Sequence, residues 1–340
     1  MSPPPEPRAN PDLIGHDDAA RTLEEAARSG RLHHAWLIAG PPGLGKATLA
    51  YRFARWLLAG QPPPVPGEPP LAVPGGAPAF RRVAAGAHAD LFTLAPSLGD
   101  KGGKKEVLRA EEARDALRFM AMTAAEGGWR VLVVEALEQV DREVVPNILL
   151  KTLEEPPPRT MQLLVTAAPD RLLPTIRSRC RRLDLAPLAD PVLDGLLARW
   201  LPELSGSDRA GLVGIADGCP GRALLLAEGE GLALQGLVEE VLGSLGQPDP
   251  RRWHGLAESV AGRRDAAAVT LFLTLLRRTM AAALRQAGRG GAAPPWIAGR
   301  SLADWSVLWD KLGRLADETE RLNLDRKQAV LTGLGWLSAR

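Results

Sequence analysis

A glycine-rich loop between an apolar strand and a helix constrains the fold of this chain more than any other feature. The strand pattern AWLIA occupies residues 35–39, and GPPGLGKATLAYRFARWLLAG follows with helical spacing through Leu49, Phe53 and Leu57. Glycines let a backbone curl so that its N–H groups point at a phosphate, and the dipole of the following helix favours the same anion. The spacing therefore predicts a phosphate-binding loop at the end of a strand.

The loop departs from the full phosphate-loop pattern at one position. That pattern places Ser or Thr after the lysine, and its hydroxyl holds Mg²⁺. Here Ala47 follows Lys46, and Thr48 is turned by about 100° around the helix, so it is no simple substitute. We expect a degenerate site for ATP or ADP in which Mg²⁺ is doubtful; a turn that only tightens the connection is the alternative. The predicted nucleotide-binding residues of the loop are Gly40, Pro41, Pro42, Gly43, Leu44, Gly45, Lys46, Ala47 and Thr48.

Strand and helix patterns alternate along the first half of the chain. VLVV (131–134) and LLVTA (163–167) are typical of strands buried on both faces of a parallel sheet. Their alternation with helices predicts an α/β domain over 13–188, with a parallel sheet covered by helices on both faces. Two helical blocks follow, at 189–245 and 250–340.

Proline and glycine mark two segments that should lack regular structure. Residues 1–12 are proline-rich, and we expect a disordered tail there. Residues 60–79 contain eight Pro and four Gly, which predicts that 60–86 is an extended insertion in the α/β domain.

Bulk properties exclude several classes of protein. A net charge of +2 over 340 residues gives no general affinity for nucleic acid. The two cysteines, Cys180 and Cys219, cannot build a disulfide framework or a zinc site, so they should be small buried side chains in a cytoplasmic protein. The N-terminus lacks the pattern of a signal peptide, and no apolar run has the length of a membrane span.

The strand VLVV should end in acidic groups if the chain hydrolyses nucleotide. Glu135 could reach a metal ion, although it is longer than the usual aspartate, and a solvated strand end is the alternative. Ala136 cannot polarise a water molecule. We therefore expect no hydrolysis by the chain's own site.

Five segments together resemble the AAA+ clamp-loader family: GPPGLGKATLA, VLVVEALEQV, NILLKTLEEPP, LLPTIRSRC and GCPGRALLLA. The resemblance covers about residues 13–230, and it implies an AAA+ sheet, a helical lid domain (189–245) and a collar domain for oligomerisation (250–340). It further implies the stator subunit of a bacterial DNA polymerase III clamp loader. The implied partners are gamma/tau and delta type subunits in a heteropentamer, with the sliding clamp and primer-template DNA reached through the complex.

The resemblance also implies roles for individual residues. Arg179, in the family's Ser-Arg-Cys motif, would be an arginine finger that acts in trans on a neighbouring subunit's nucleotide. Arg222 and Thr166 would occupy the sensor-2 and sensor-1 positions. Ile14 and Gly15 lie where the family's N-terminal segment passes the adenine.

The family pattern is incomplete in one further respect. Many members carry a four-cysteine zinc module where this chain has its Pro/Gly insertion. His88 and Asp90 alone cannot close a zinc site, so we expect no metal there. An active AAA+ ATPase, of motor or remodeller type, is the alternative function, and Ala47 and Ala136 argue against it. A P-loop kinase fits less well, because two helical blocks follow the sheet.

Overall fold

The computed structural model describes residues 4–95, 97–98, 105–106, 110–139, 144–228, 230–247, 249–263, 268–322 and 324–338. These residues form two compact units, one within 4–204 together with 217–222, and the other of 205–216 and 223–338. The boundary falls inside the predicted 189–245 block, since its first part packs with the sheet-bearing unit. The predicted division between 245 and 250 stays a prediction.

The first unit is built on a parallel sheet. The strands of this unit are β1 (Ala35–Ala39), β2 (Leu91–Leu94), β3 (Ser97–Leu98), β4 (Lys105–Glu106), β5 (Arg130–Val134), β6 (Thr160–Thr166) and β7 (Arg181–Asp184). Five of them form the sheet in the order β2–β5–β6–β1–β7, each parallel to its neighbours, and β3 and β4 form a separate antiparallel pair. The predicted α/β class is therefore confirmed.

Helices surround the sheet in the first unit and make up the second. The helices are α1 (Asp17–Arg28), α2 (Lys46–Leu58), α3 (Pro78–Ala84), α4 (Ala110–Ala121), α5 (Val144–Glu154), α6 (Pro174–Arg177), α7 (Asp190–Trp200), α8 (Gly206–Ala216), α9 (Pro220–Glu228), α10 (Gly231–Ser244), α11 (Pro250–Ala261), α12 (Ala268–Gly288), α13 (Leu302–Leu322) and α14 (Arg326–Ser338).

Two apolar cores lie on opposite faces of the sheet. Successive side chains of a strand point to opposite faces, so Trp36 and Ile38 of β1 enter one core while Leu37 enters the other. The first core also receives side chains from α1 and α2, and the second receives them from α4 and α5. Helices thus cover both faces, as predicted.

The N-terminal tail is ordered over residues 4–12, so the predicted disorder is wrong there; residues 1–3 lie outside the described part of the chain. Two buried arginines of α2 donate hydrogen bonds to backbone carbonyl oxygens of the tail. Arg55 donates to Arg8 O (2.9 Å) and Asn10 O (2.7 Å), and Arg52 donates to Pro11 O (2.7 Å). The Pro-rich composition excludes helix and strand but leaves backbone oxygens free to accept these bonds.

We expect Arg55→Ala to destabilise the first unit by about 3 kcal/mol, because charge-assisted hydrogen bonds and a buried contact are lost together. Burial lowers the pKa of Arg55 to about 10, so the guanidinium is charged at neutral pH. Urea unfolding measures the loss, and limited proteolysis should show faster cleavage within residues 4–12. Arg21→Ala, which removes an exposed arginine paired with Asp18, should change little. Equal stability of both variants would contradict this role for Arg55.

The Pro/Gly insertion is not wholly irregular. Helix α3 lies within it and begins at Pro78, where proline suits the first turn because no backbone N–H is needed there. Leu71, Phe80 and Val83 are buried. The prediction that this segment lacks regular structure is therefore wrong for its last part, because its apolar side chains reach the protein interior.

The described residues of the second unit form helices joined by turns, and no strand occurs among them. Its two longest helices, α12 and α13, are joined by reciprocal bonds: Arg277 Nε donates to Trp309 O, and Trp309 Nε1 donates to Arg277 O, both at 3.0 Å. Among the helices that the structure describes, none has the length and hydropathy to cross a membrane.

Candidate functional site

The phosphate loop joins the end of β1 to the start of α2 at the carboxyl edge of the sheet. Gly43 and Gly45 have φ values of +75° and +98°, a region that side chains disfavour. A Cβ atom at Gly43 would lie 2.7 Å from the backbone nitrogen of Arg222. The loop glycines therefore serve both its curl and the close approach of a second segment.

Lys46 is buried and bonds to the loop itself. Its Nζ donates to Gly40 O at 2.7 Å and to Pro41 O at 2.6 Å. Burial lowers the pKa of Lys46, and the carboxylate of Glu138 acts in the opposite direction. A bound phosphate would have to replace these carbonyl oxygens as the partner of the ammonium group.

Glu135 follows β5, as predicted, but its carboxylate is bound by a tyrosine. Tyr51 of α2 donates to Glu135 Oε1 at 2.7 Å, and its hydroxyl lies 3.2 Å from Thr93 Oγ1. Burial, reinforced by the charge of Glu135, raises the pKa of Tyr51. With the hydroxyl at position 47 also missing, these residues do not fit Mg²⁺. Sequence reasoning missed Tyr51, which is 84 residues away from Glu135.

Thr166, the predicted sensor-1 residue, lies next to the loop because β6 pairs with β1 in a register that aligns Thr166 with Ala39. Its hydroxyl donates to Glu138 Oε2 at 2.8 Å and accepts from the Ala168 N–H at 3.1 Å. Glu138 is a second residue that sequence reasoning missed. The short 3₁₀ turn of residues 137–139 returns its carboxylate to this edge of the sheet.

Arg222 reaches the phosphate loop through its backbone. Gly221 N donates to Gly43 O at 2.8 Å, and a Cβ at Gly221 would lie 2.9 Å from Gly43 Cα. The Arg222 side chain bonds Asp217 at 3.0 Å. The structure thus brings the predicted sensor-2 segment to the loop, with the guanidinium in a salt bridge.

The segment before α1 also contacts the loop. Gly15 has φ +77° and lies against Leu188, and the next residue, His16, bonds Leu44 O through Nε2 at 2.9 Å. Ile14 is half-buried beside them. Burial lowers the pKa of His16, opposed by the bond to Leu44, so the ring is held neutral with Nε2 as donor.

This histidine predicts an acid-sensitive first unit. A folded-state pKa below the unfolded value of 6.5 means that the unfolded chain binds the proton more readily. Stability should therefore be full above pH 6.5 and fall below it, by at most about 1.4 kcal/mol per pH unit for this group. Urea midpoints between pH 7.5 and 5.5 measure the slope. His16→Gln should reduce the slope without abolishing it, because burial also lowers the pKa values of His34 and His88. His254→Gln, on an exposed face of α11, should leave the slope unchanged, and an unchanged slope in His16→Gln would contradict the assignment.

Arg179 lies between α6 and β7. Its Nη1 donates to Thr175 O at 3.0 Å, and its Nη2 lies 2.8 Å from Glu154 Oε1. The side chain is 35% exposed. Arg177 instead pairs with Asp170, in the short 3₁₀ turn of residues 169–171. Arg179 thus presents a fixed and accessible guanidinium whose described partners lie outside the phosphate loop.

The remaining predicted residues are structural. Asp90 accepts the backbone N–H groups of Ala125 (2.7 Å) and Glu126 (3.1 Å), while His88 Nδ1 accepts the N–H of Asp90 at 3.2 Å. Within the described part of the chain no group of three or more His, Cys, Asp or Glu side chains could hold a metal ion. Cys219 is buried, and burial raises the pKa of Cys180 to about 12.

Comparisons with known proteins connect this geometry to one family. A family model described as "DNA polymerase III, delta subunit" matches residues 15–189. The DNA polymerase III subunit delta' of Pseudomonas aeruginosa is 37% identical over 188 residues, which are 55% of this chain and 53% of that protein. The chain thus spans about half the length of that relative.

Two proteins of Escherichia coli K12 are also similar. Its DNA polymerase III subunit delta' is 34% identical over 258 residues, 75% of this chain and 72% of that protein. Its subunit tau is 31% identical over 184 residues, 54% of this chain and 26% of that protein. The alignment to the E. coli delta' subunit is longer than the sheet-bearing unit, so it extends into the second unit.

Proposed function

The chain belongs to the DNA polymerase III delta' family of clamp-loader subunits, and from this premise we propose that it is the stator of a clamp loader. In this role it supports ATP-dependent loading of the sliding clamp onto primed DNA while its neighbours hydrolyse ATP. Arg179 serves one neighbour as an arginine finger in trans.

The observation that carries the proposal is a contrast within the first unit. The chain's own site has Ala47 where a magnesium ligand belongs, and Glu135 is bound by Tyr51. Arg179, by comparison, is fixed by two contacts and remains partly exposed. A guanidinium held in this way can stabilise the charge that develops on a γ-phosphate in another subunit.

The partners follow from the family. We infer that the chain assembles with gamma/tau and delta type subunits as a heteropentamer in the cytoplasm, and that its 250–340 region contributes to the collar. Clamp and primer-template DNA are reached through the complex. ATP or ADP can occupy the phosphate loop if phosphate displaces Lys46 from its two carbonyl partners, but the loop contributes no turnover.

Co-purification tests this assignment. The chain is mixed with the gamma/tau and delta subunits of the same organism and separated by size exclusion. We expect one complex containing all three kinds of chain. If this chain elutes alone at micromolar concentration while the others associate, the stator assignment is wrong.

An autonomous ATPase is the second candidate, and the retained loop geometry favours it: Lys46 and the positive-φ glycines are in place. Against it stand the missing ligand and the absence of a catalytic base at Ala136. The purified chain should therefore release no phosphate from ATP above background. Mg²⁺-dependent turnover that Lys46→Ala abolishes would establish this second function instead.

A further inference from the structure

A carboxylate from a separate helix holds the arginine that the proposed function uses. Glu154, at the last position of α5, has Oε1 2.8 Å from Nη2 of Arg179. The carbonyl oxygen of Thr175 in α6 accepts a hydrogen bond from the other terminal nitrogen, Nη1, at 3.0 Å. Side-chain and backbone groups of two separate helices, α5 and α6, therefore bind one guanidinium.

We propose that Glu154 is a positioning residue for Arg179: it orients the guanidinium toward the neighbouring subunit's nucleotide before that subunit docks. This inference rests on the proposed function, since it assigns a role to the carboxylate only in relation to a trans-acting arginine.

The residues next to Glu154 and Thr175 pack into the apolar core. Leu153, next to Glu154, is 2% exposed, and Ile176, next to Thr175, is 1% exposed. Both belong to the apolar core formed under α4 and α5. Because packing fixes these two backbones, the carbonyl oxygen of Thr175 and the Cα of Glu154 hold fixed positions, and from that Cα the carboxylate reaches Nη2 of Arg179. The two contacts together favour the guanidinium orientation that the structure shows.

Arg179 can keep its contacts to Glu154 and Thr175 and bind a phosphate at the same time. A guanidinium carries five N–H groups in a rigid planar fork. The two contacts use one N–H each from Nη1 and Nη2, so three N–H groups are left for an incoming anion. An arginine without these partners would have to lose rotamer freedom when the subunits meet, and part of the binding would be spent on ordering it.

The size of the effect follows from exposure. The Glu154 side chain is 50% exposed and that of Arg179 is 35% exposed, so solvent screens the pair and its contribution is that of a surface ion pair. We expect loss of the carboxylate charge to slow the reaction at the neighbouring site by about two- to fivefold. The step affected is turnover of bound ATP rather than ATP affinity, since Glu154 acts through the arginine.

Glu155 offers a matched control. It is the next residue, it is exposed, and among the described residues its carboxylate has no side-chain partner. Glu154→Gln and Glu155→Gln change the net charge equally and differ only in the contact to Arg179.

The test uses the complex with gamma/tau and delta subunits and follows phosphate release from ATP in a single turnover. The phase that disappears in Arg179→Ala identifies the site that Arg179 serves. We expect Glu154→Gln to slow this phase two- to fivefold with unchanged ATP affinity and assembly, Glu154→Asp to restore part of the rate, and Glu155→Gln to have no effect. In an Arg179→Ala background, Glu154→Gln should change nothing further.

The outcomes separate the two proposals. If Arg179→Ala removes a phase but Glu154→Gln and Glu155→Gln both match the unmodified protein, the positioning role is wrong and the proposed function stands. If Glu154→Gln slows the phases that remain in the Arg179→Ala complex, Glu154 acts by another route and the inference is also wrong. If Arg179→Ala itself leaves every phase unchanged, the proposed function fails.

Discussion

Replacing Gly218 with alanine is expected to destabilise the first unit by about 3–5 kcal/mol, from a left-handed backbone, a backbone clash and a lost hydrogen bond. Gly218 has φ +66°, and a Cβ there would lie 2.3 Å from Leu188 O and 2.7 Å from Leu188 N. Neither backbone atom can move as a side chain would. Leu188 N also donates to Gly218 O at 2.9 Å, a bond that the clash would break.

Gly30→Ala is the control that separates the cost of a left-handed backbone from the cost of a steric clash. Gly30 has a similar φ of +70°, but a Cβ there would meet nothing within 4 Å. Its replacement should therefore cost about 1 kcal/mol, the strain of the backbone alone. Urea unfolding of the two variants measures the difference. Equal losses would show that the contact between Gly218 and Leu188 contributes nothing.

The same variant has a consequence for the phosphate loop. The contact of Gly218 with Leu188 holds residues 217–222 to the rest of the first unit, and Gly221 N donates to Gly43 O of the loop. Displacing this segment removes the partner of Gly43 O and moves Arg222 away from the loop. Any nucleotide affinity that the chain has should therefore fall in Gly218→Ala and persist in Gly30→Ala.

Replacing Arg179 with alanine is expected to have the largest functional effect. At the neighbouring site, the rate of phosphate release should fall by roughly 10³- to 10⁵-fold, the range seen for arginine fingers in GTPases. The rate of the whole complex should fall by the share that this site carries, and clamp loading should fall with it. In the proposed role, the physical reason is the loss of a fixed positive charge beside the neighbouring subunit's γ-phosphate.

Arg177→Ala is the matched control for this prediction. It removes an arginine two positions away that pairs with Asp170 rather than with Glu154. Both variants should assemble as well as the unmodified chain, because each of these side chains lies partly in solvent. An unchanged steady-state ATPase in the Arg179→Ala complex would exclude the finger, and an equal loss in Arg177→Ala would point to a general effect of charge.

The sheet and the phosphate loop could be predicted because their signals are local. An uninterrupted apolar run such as VLVV predicts a buried strand from a few consecutive residues. In the same way, the glycine spacing around Lys46 predicts the backbone geometry of the loop that contains it. Contacts between distant residues have no such signal. Tyr51 and Glu135 meet only because α2 packs beside β5, and nothing near Glu135 in the sequence indicates its partner.

The tail shows a second limit of sequence reasoning. A Pro-rich segment cannot form a helix or a strand, but a lack of regular structure does not imply disorder. The backbone oxygens of residues 8–11 are instead bound by Arg52 and Arg55. The available signal is that Arg52 and Arg55 stand in the otherwise apolar stretch AYRFARWLL, because a charge seldom enters the interior without partners.

ATP turnover of the gamma/tau and delta subunits, measured with clamp and primed DNA in the presence and absence of this chain, tests the central claim most directly. The stator role predicts that the chain alone has no turnover and that its addition raises the turnover of the others. Equal turnover with and without the chain, at concentrations where the complex forms, would contradict the role.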